Sequence, residues 1–282
     1  MTTLAGKTIF ITGASRGIGK AVALRAARDC ANVVITGKTT AAHPTLPGTI
    51  HSAAEEVEAA GGQALAIQMD LRDEDQVAAA VQAAVERFGG IDVLVNNASA
   101  IRLTGTLHTP IKRLDLMWQV NARGTFVASQ ACLPWLLRSP WPHVLTMSPP
   151  IDLDPKWFRG HSAYTVAKYG MSMFTLGMAA EFAGKVAFNS LWPRTAIATA
   201  AVENLLGGKA SLTRSRKPTI VADAAHAILC RDPMSHSGNF YLDDEVLAEE
   251  GVVDLDAYAV TPGVPLLTDF FVAPVTRSQA AS

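Results

Sequence analysis

Residues 7–19 read KTIFITGASRGIG, an apolar strand pattern that runs into three spaced glycines and then into a helical pattern. Gly13 is placed to make the tight turn after the strand, Gly17 to let the backbone approach a phosphate, and Gly19 to let the helix sit close to the sheet. The helix start offers unpaired N–H groups and positive dipole, which favour an anion. Clustered glycines alone more often mark a structural turn, but the flanking strand and helix favour a dinucleotide-binding loop.

Outward from this loop, short β-rich runs alternate with longer helical patterns, which predicts a mostly parallel sheet covered by helices on both faces. We predict an α/β fold of the doubly wound Rossmann type, with residues 1–282 as a single domain, a core over about residues 4–242 and a C-terminal extension over residues 243–282. Strands are predicted at residues 7–12, 32–36, 65–69, 91–95, 144–147, 186–191 and 239–242. Helices are predicted at residues 17–29, 52–60, 74–88, about 121–137 and 162–181.

The composition limits the class of function. Hydrophobic residues make up 49% of the chain and charged residues 17%, which suits a globular protein with a large core. A net charge of -1 provides no attraction to nucleic acid or to an acidic membrane. No apolar run is long enough to span a bilayer, the N-terminus has no secretory signal, and the last four residues match no peroxisomal address. We therefore expect a soluble, cytoplasmic protein with no nucleic-acid partner and no membrane span.

A metal site is not expected either. Cys30, Cys132 and Cys230 are widely scattered, with no CxxC spacing, and the seven histidines form no HxxH or HxxxH pair. These patterns predict reduced thiols and no metal centre.

The end of the second strand bears on the choice of cofactor. An acidic residue there would hold the ribose hydroxyls of NAD. The chain instead has Lys38 at this point and Arg16 in the glycine loop, and two cations suit the extra phosphate of NADP. NADP is therefore the predicted cofactor and NAD remains possible, because both cations can also be ordinary solvated surface charges.

Tyr164 and Lys168 are four residues apart at the start of a predicted helix, so their side chains share one face. An ammonium group beside a phenol stabilises the phenolate and lowers its pKa, which suits proton transfer. Ser148 follows the strand at residues 144–147 and places a hydroxyl at the carboxyl edge of the sheet. Asn121 begins its predicted helix, where it can cap the helix or help to position Lys168 through water.

In this order, the glycine loop, residues 96–99, Asn121, Ser148 and the Tyr164–Lys168 pair resemble the short-chain dehydrogenase/reductase family over about residues 4–242. The resemblance implies that Tyr164 is the general acid/base, that Lys168 tunes it and holds the nicotinamide ribose, that Ser148 orients the substrate and that Asn121 completes a proton relay. It also implies that Asn97 lines the cofactor cleft and that Asp70 meets the adenine. The predicted cofactor-binding residues are Gly13, Ser15, Arg16, Gly17, Ile18, Gly19, Lys38, Asp70, Leu71, Asn97, Ala98, Tyr164, Lys168 and Thr199, with Thr195 as a rival to Thr199.

The chain departs from the family pattern in the loops around the predicted site. Arg194 stands where a glycine is usual after the sixth strand, and it can either point outward or replace part of the cofactor contact. Ser148 is followed by two prolines, and Asp243-Asp244 replaces the common Asp-Gly-Gly after the last strand. The Pro-punctuated, apolar stretch at residues 261–275 is expected to pack on the body of the protein or on a neighbouring subunit.

These observations predict an NADP-dependent oxidoreductase that transfers a hydride between the nicotinamide and a carbonyl or alcohol substrate. Trp157 and Phe158, beside Ser148, suggest an apolar, lipid-like substrate, although aromatic residues more often form core. The alternative is a cofactor-binding scaffold of the same fold with little activity; a sugar-nucleotide epimerase is disfavoured by the glycine spacing and the modest C-terminal region. The resemblance also implies a homodimer or homotetramer.

Overall fold

The computed structural model describes residues 3–42, 46–205 and 207–273, and its single sheet contains seven parallel strands. The strands are β1 (Thr8–Thr12), β2 (Asn32–Gly37), β3 (Gln63–Gln68), β4 (Val93–Asn96), β5 (His143–Thr146), β6 (Ala187–Trp192) and β7 (Phe240–Leu242). Their order across the sheet is β3-β2-β1-β4-β5-β6-β7. The chain therefore reverses its direction of winding between β1 and β4, and the loops that leave these strands diverge at the carboxyl edge. Such a crevice is where open α/β sheets bind ligands.

Helices cover both faces of the sheet, as predicted for a doubly wound fold. The helices are α1 (Gly17–Ala27), α2 (Ile50–Ala59), α3 (Glu74–Phe88), α4 (Ile111–Met117), α5 (Gly124–Leu136), α6 (Ser162–Glu181), α7 (Ala200–Leu205), α8 (Lys209–Thr213), α9 (Thr219–Leu229) and α10 (Asp243–Glu249). One buried core joins the sheet to α1, α2, α9 and α10, and a second joins its other face to α3, α5 and α6. This coverage explains the near-continuous apolar sequence of the central strands β1, β4, β5 and β6, which are buried on both sides, whereas the edge strands β3 and β7 are only partly buried.

The long helix predicted at about residues 121–137 starts ten residues earlier than expected. It begins at Ile111, passes through one π-helical turn at Trp118–Arg123 and continues as α5. A Cβ atom at Gly170 would lie 2.8 Å from the Cβ of Ala122, so α6 packs unusually close to this turn. Asn121 therefore lies inside the helix, and the expectation that it caps the helix is wrong.

The C-terminal residues return to the body of the protein. Val246 and Leu247 of α10 are buried in the same core as α1 and α9. Residues 265–273 then run along the carboxyl edge, where Thr268 forms an antiparallel bridge with Thr195. Packing on the body is thus confirmed for the described part of residues 261–275, whereas Pro274 and Val275 lie outside the described residues. Within the described ranges, no helix has the length and apolar character required to cross a membrane.

Candidate functional site

A cavity of about 960 Å³ lies at the carboxyl edge, among the loops that follow β1 and β4. Every predicted cofactor-binding residue except Gly19 lines it, whereas Thr195, Ser148 and Asn121 do not. The lining residues from the predicted set are Gly13, Ser15, Arg16, Gly17, Ile18, Lys38, Asp70, Leu71, Asn97, Ala98, Tyr164, Lys168 and Thr199.

The glycine loop is held by an amide from the loop after β4. The Asn97 side chain donates hydrogen bonds to the carbonyl oxygens of Thr12 and Gly13, both at 2.9 Å. A Cβ atom at Gly19 would lie 2.4 Å from Nδ2 of Asn97. The absence of a side chain at Gly19 therefore lets α1 approach the Asn97 amide, in addition to the sheet as predicted. Gly13 has φ +68° and would place a Cβ atom 2.9 Å from Cα of Ala98. Side chains are therefore excluded from the floor of the loop.

The start of α1 is suited to an anion. Arg16 occupies the cap position, no side chain caps the helix, and the first turn contains no acidic residue. Gly17, with φ +60°, turns the backbone into the helix. The N–H groups and the positive dipole end of this 11-residue helix lie beside the glycine positions of the loop, where no side chain blocks a ligand, and the residues therefore fit the pyrophosphate of a dinucleotide.

Arg16 also holds the loop that follows β2. Its guanidinium donates to the carbonyl oxygens of Pro47, at 2.9 Å, and Gly48, at 3.0 Å. A Cβ atom at Gly48 would lie 2.7 Å from the carbonyl oxygen of Ser15, so the two loops are in direct backbone contact. Within the part of the chain that the structure describes, no carboxylate pairs with Arg16, and its charge is uncompensated.

Asp70 lies at the same end of the cavity between two cations. Arg72 Nε donates to Asp70 Oδ1 at 2.9 Å, and Lys38 Nζ lies 3.5 Å from Asp70 Oδ2. The hydrogen bonds from Arg72 and the nearby charge of Lys38 hold the pKa of Asp70 well below its usual range. One acid thus faces three cations when Arg16 is included, and this end of the cavity carries excess positive charge.

Tyr164 and Lys168 lie one turn apart on α6 at the other end of the cavity. Lys168 Nζ donates to the carbonyl oxygen of Met147 at 2.9 Å and lies 5.1 Å from the centroid of the Trp192 ring. Burial raises the pKa of Tyr164 above its usual range, and the charge of Asp269 raises it further. The lowering of this pKa that the sequence predicts from Lys168 is therefore not found, because burial outweighs it. Burial lowers the pKa of Lys168 to about 7, against an opposing effect of Asp269.

The other two predicted catalytic residues lie just behind the cavity wall. Ser148 is fully buried, and its hydroxyl pairs with that of Ser190 at 2.9 Å. The Asn121 side chain accepts from the N–H of Ala100 at 2.7 Å and donates to the carbonyl oxygen of Ala100 at 3.0 Å. Asn121 therefore fixes the loop after β4, which lines the cavity.

The C-terminal segment, defined here as residues 265–273, forms one wall of the cavity. Asp269 and Phe270 line it beside Tyr164. Phe271 has φ +70°, a left-handed conformation that is strained for a bulky residue. Its ring packs into an aromatic cluster with centroid distances of 5.3 to 6.1 Å, formed by Trp157, Tyr164, Tyr169, Trp192 and Phe270.

The Arg194 side chain points away from the cavity, towards α10, and the side chains that replace the usual glycines bind one another. Its guanidinium contacts Asp244, at 2.5 Å, and Glu245, and its backbone N–H donates to Asp243 at 2.9 Å. The Arg194 and Asp244 side chains are only 10% and 12% exposed. The carbonyl oxygen of Arg194 accepts the N–H of Asp269 at 3.0 Å, so this ion-pair group also anchors the C-terminal segment.

The aromatic residues expected to line a lipid-like pocket do not reach the cavity. Trp157 and Phe158 pack against the cluster around Phe271 instead. The cavity nevertheless has an apolar lining near Tyr164, which consists of Ala100, Ile101, Leu103, Leu116, Val120, Trp192 and Phe270.

Some residues of the site were not predicted from sequence. Arg72 had a weak signal, since it follows Asp70 by two positions after a strand. Asp269 had none, because its place in the cavity depends on contacts with residues about 75 to 105 positions away, namely Arg194 and Tyr164.

One cluster elsewhere has metal-ligand atoms close together, formed by Asp29, His226 and Cys230 within 4.8 Å of one another. The Arg25 guanidinium contacts His226 Nδ1 at 3.0 Å and Asp29 at 3.1 Å. His226 Nε2 also lies 2.7 Å from Asp29. The positive charge of Arg25 disfavours binding of a metal cation at this cluster. We therefore interpret the cluster as an ion-pair network.

Comparisons with known proteins agree with this geometry. The family model described as short chain dehydrogenase matches residues 7–207. Hydroxysteroid dehydrogenase-like protein 2 of Rattus norvegicus is 62% identical over 268 residues, which are 95% of this chain and 51% of that protein. The chain thus spans about half the length of this curated relative.

Solved structures are also similar. A putative dehydrogenase from Xanthomonas campestris is 61% identical, with a TM-score of 0.94 over 96% of this chain and 100% of the other. A metagenomic short-chain oxidoreductase in complex with NADP is 25% identical, with a TM-score of 0.70 over 85% of this chain and 97% of the other.

Replacing Arg194 by alanine is expected to destabilise the protein by about 3 kcal/mol, because the nearly buried Asp244 carboxylate loses its counter-charge. The measurement is urea unfolding followed by circular dichroism. The control is Lys20→Ala, which removes a more exposed pair with Glu56 and should cost at most about 1 kcal/mol. Equal losses in the two variants would contradict the anchoring role of Arg194.

Proposed function

The chain belongs to the short chain dehydrogenase family, and from this premise we propose that it is an NADP-dependent oxidoreductase that interconverts a carbonyl and an alcohol, with Tyr164 as general acid/base. The observation that carries the proposal is that Tyr164 and Lys168 line the same cavity as the glycine loop. A dinucleotide held at the loop can therefore extend towards a proton donor in one continuous space.

The proton step follows from the two side chains. When bound, the nicotinamide supplies or accepts the hydride. In the reducing direction, the Tyr164 hydroxyl gives its proton to the carbonyl oxygen, and in the oxidising direction the phenolate accepts a proton from the alcohol. In this proposal, the Lys168 ammonium stabilises the phenolate and so counters the burial that disfavours ionisation of Tyr164.

Ser148 and Asn121 act beside this pair in the proposal. Ser148 orients the carbonyl oxygen once its hydroxyl turns from Ser190 to the cavity, a rotation about one side-chain bond. Asn121 holds the loop at Ala100 and connects Lys168 to solvent through a proton relay.

The remaining predicted residues hold the cofactor. The backbone at Gly13, Ser15, Gly17 and Ile18 takes the pyrophosphate, with Gly19 permitting the close packing of α1. The adenosine lies at the end with the positive charge, where Arg16 and Lys38 meet the extra phosphate of NADP. Asp70 and Leu71 meet the adenine, while Asn97, Ala98 and Thr199 line the path towards the nicotinamide.

The substrate is proposed to be largely apolar and lipid-like, because the walls around Tyr164 are mostly hydrocarbon. The cytoplasmic location and the domain limits stay predictions.

A second candidate function is a cofactor-binding scaffold with little activity. The buried Ser148 hydroxyl favours it, because the residue expected to orient a substrate is paired with Ser190 and does not line the cavity. Tight NADPH binding without turnover of any carbonyl compound is the result that would support this alternative.

The protein is further proposed to form a homodimer or homotetramer through the face of α5, α6 and the π-helical turn between α4 and α5. Phe126 and Phe174 place α5 and α6 side by side, with ring centroids 5.2 Å apart. Large apolar side chains that are 39% to 54% exposed lie on these elements, namely Trp118, Phe126, Val166, Met173 and Leu176. A second copy of the chain would bury them.

Tyr164→Phe is expected to lower carbonyl reduction by at least about 100-fold, because the hydroxyl that gives the proton is removed. Binding of NADPH, followed by nicotinamide fluorescence, should change little. The control is Tyr169→Phe, which removes the hydroxyl that donates to the Asp152 carbonyl oxygen from the same helix. Undiminished turnover in Tyr164→Phe would refute the assigned role.

Lys38→Ala is expected to weaken NADPH binding about tenfold and NADH binding by less than about twofold, since only NADPH carries the extra phosphate. Fluorescence titration gives both dissociation constants. Lys7→Ala serves as the control, because Lys7 lies over Trp141 and does not line the cavity. An equal effect on both cofactors would argue against a phosphate contact.

The double variant Met173→Glu/Leu176→Glu is expected to sediment as a monomer at micromolar concentration, because two charges enter the proposed interface. Val253→Glu changes a side chain that is 96% exposed outside this face and should leave the assembly intact. A wild-type protein that sediments as a monomer would contradict the proposal.

A further inference from the structure

The wall of the cavity opposite α6 carries a carboxylate that the proposed reaction does not use. Asp269 lines the cavity together with Tyr164, Lys168 and Trp192. Its charge acts on both members of the proposed acid/base pair, since it raises the pKa of each. Asp269 is therefore close to the place where the substrate reacts.

The backbone holds this carboxylate in position from both sides. The N–H of Asp269 donates to the carbonyl oxygen of Arg194 at 3.0 Å, and Nε1 of Trp192 donates to the carbonyl oxygen of Phe270 at 2.9 Å. Leu267, two residues earlier, accepts the N–H of Ala196 at 2.8 Å. Asp269 is consequently a fixed part of the wall, as a recognition group must be.

One oxygen of the carboxylate is available to a ligand. Oδ1 accepts the N–H of Phe270 at 2.7 Å, whereas Oδ2 has no hydrogen-bond partner and no ion pair among the described residues. Burial raises the pKa of Asp269 to about 7, against the opposing effect of the Phe270 N–H; the charge of Asp243 raises it as well and that of Lys168 lowers it. The ionised carboxylate therefore predominates above neutral pH. An acceptor oxygen thus faces the cavity.

The surroundings limit what this oxygen can bind. Phe270, Trp192 and Leu103 make the nearby wall apolar, and in such a setting a second carboxylate close to Asp269 is strongly disfavoured. A neutral hydroxyl group, by contrast, can donate to a carboxylate in a charge-assisted hydrogen bond.

Asp269 lies outside residues 7–207, the part of the chain that matches the family model. The contact is therefore a property of the C-terminal region of this chain, and the family model says nothing about it.

We propose that Asp269 is a specificity-determining residue, which accepts a hydrogen bond from a substrate hydroxyl beside the reacting carbonyl and repels substrates that carry a carboxylate there. The favoured class is neutral hydroxy-ketones on an apolar frame, together with the diols to which they are reduced. The proposal rests on the proposed function only for the position of the carbonyl next to Tyr164.

The test uses three phenyl ketones that differ in the second substituent on the carbonyl carbon, which is hydroxymethyl in 2-hydroxyacetophenone (PhCOCH2OH), ethyl in propiophenone and carboxylate in phenylglyoxylate. Calorimetry at about pH 8.5, where Asp269 is ionised, measures their binding to the protein with saturating NADP⁺, which has no hydride to give, so that reduction of the ketones is not required. The wild type should bind the hydroxy-ketone about tenfold more tightly than propiophenone, and phenylglyoxylate about tenfold more weakly than propiophenone.

Two variants separate the charge of Asp269 from its role as an acceptor. Asp269→Asn keeps an oxygen for the Phe270 N–H and should remove the penalty against phenylglyoxylate. Asp269→Leu should reduce the preference for the hydroxyl to within about twofold. Asp256→Asn removes an exposed carboxylate outside the cavity and should leave all ratios unchanged.

The proposal is overturned if the wild type binds the three ketones equally or not at all, or if both Asp269 variants keep the wild-type ratios. These outcomes are distinct from failure of the proposed function, which is detected by NADPH turnover. If the binding ratios change in the Asp269 variants although the protein shows no turnover of NADPH, the recognition role of Asp269 is supported in a protein that is not a reductase.

Discussion

Burial of the parallel sheet on both faces is the constraint on which the rest of the structure depends. Parallel strands are joined by crossover helices, and these connections are right-handed. Every loop that follows a strand therefore lies at the carboxyl edge of the sheet. The strand order reverses between β1 and β4, so two of these loops separate and leave a crevice. The glycine loop, the amide of Asn97 and the start of α6 are brought to one cavity by this arrangement, although they lie far apart in the sequence.

The sequence predicted the features that are determined by residues close together in the chain. The glycine loop and the spacing of Tyr164 and Lys168 depend on neighbouring residues, and the structure brings them to one cavity. The π-helical turn around Asn121 was missed because it depends on a tertiary contact, in which Gly170 lets another helix approach. The wall formed by Asp269 was missed for the same reason, since no periodicity encodes a backbone pairing between segments more than 70 residues apart.

The two ends of the cavity are built by different principles. At the end near α1, backbone groups and glycines form a cradle that offers generic recognition of an anion, and it lies within the part that matches the family model. At the end near Tyr164, most wall residues also lie within that match, but Asp269 and Phe270 of the C-terminal segment complete the wall and lie beyond it. In the proposed function, a cofactor cradle common to the family is thus combined with a substrate wall that a separate stretch of chain completes.

The ion-pair group around Arg194 limits how such a substrate wall can evolve. Returning Arg194 to the usual glycine leaves Asp244 and Glu245 without their cation, and changing the acids first leaves a partly enclosed guanidinium alone. Each single step passes through an unpaired charge, so the residues form an epistatic set that is inherited together. A chimaera that carries the C-terminal segment of this chain in a related protein therefore also needs the loop that follows β6 and the first turn of α10. The three parts must be transferred together.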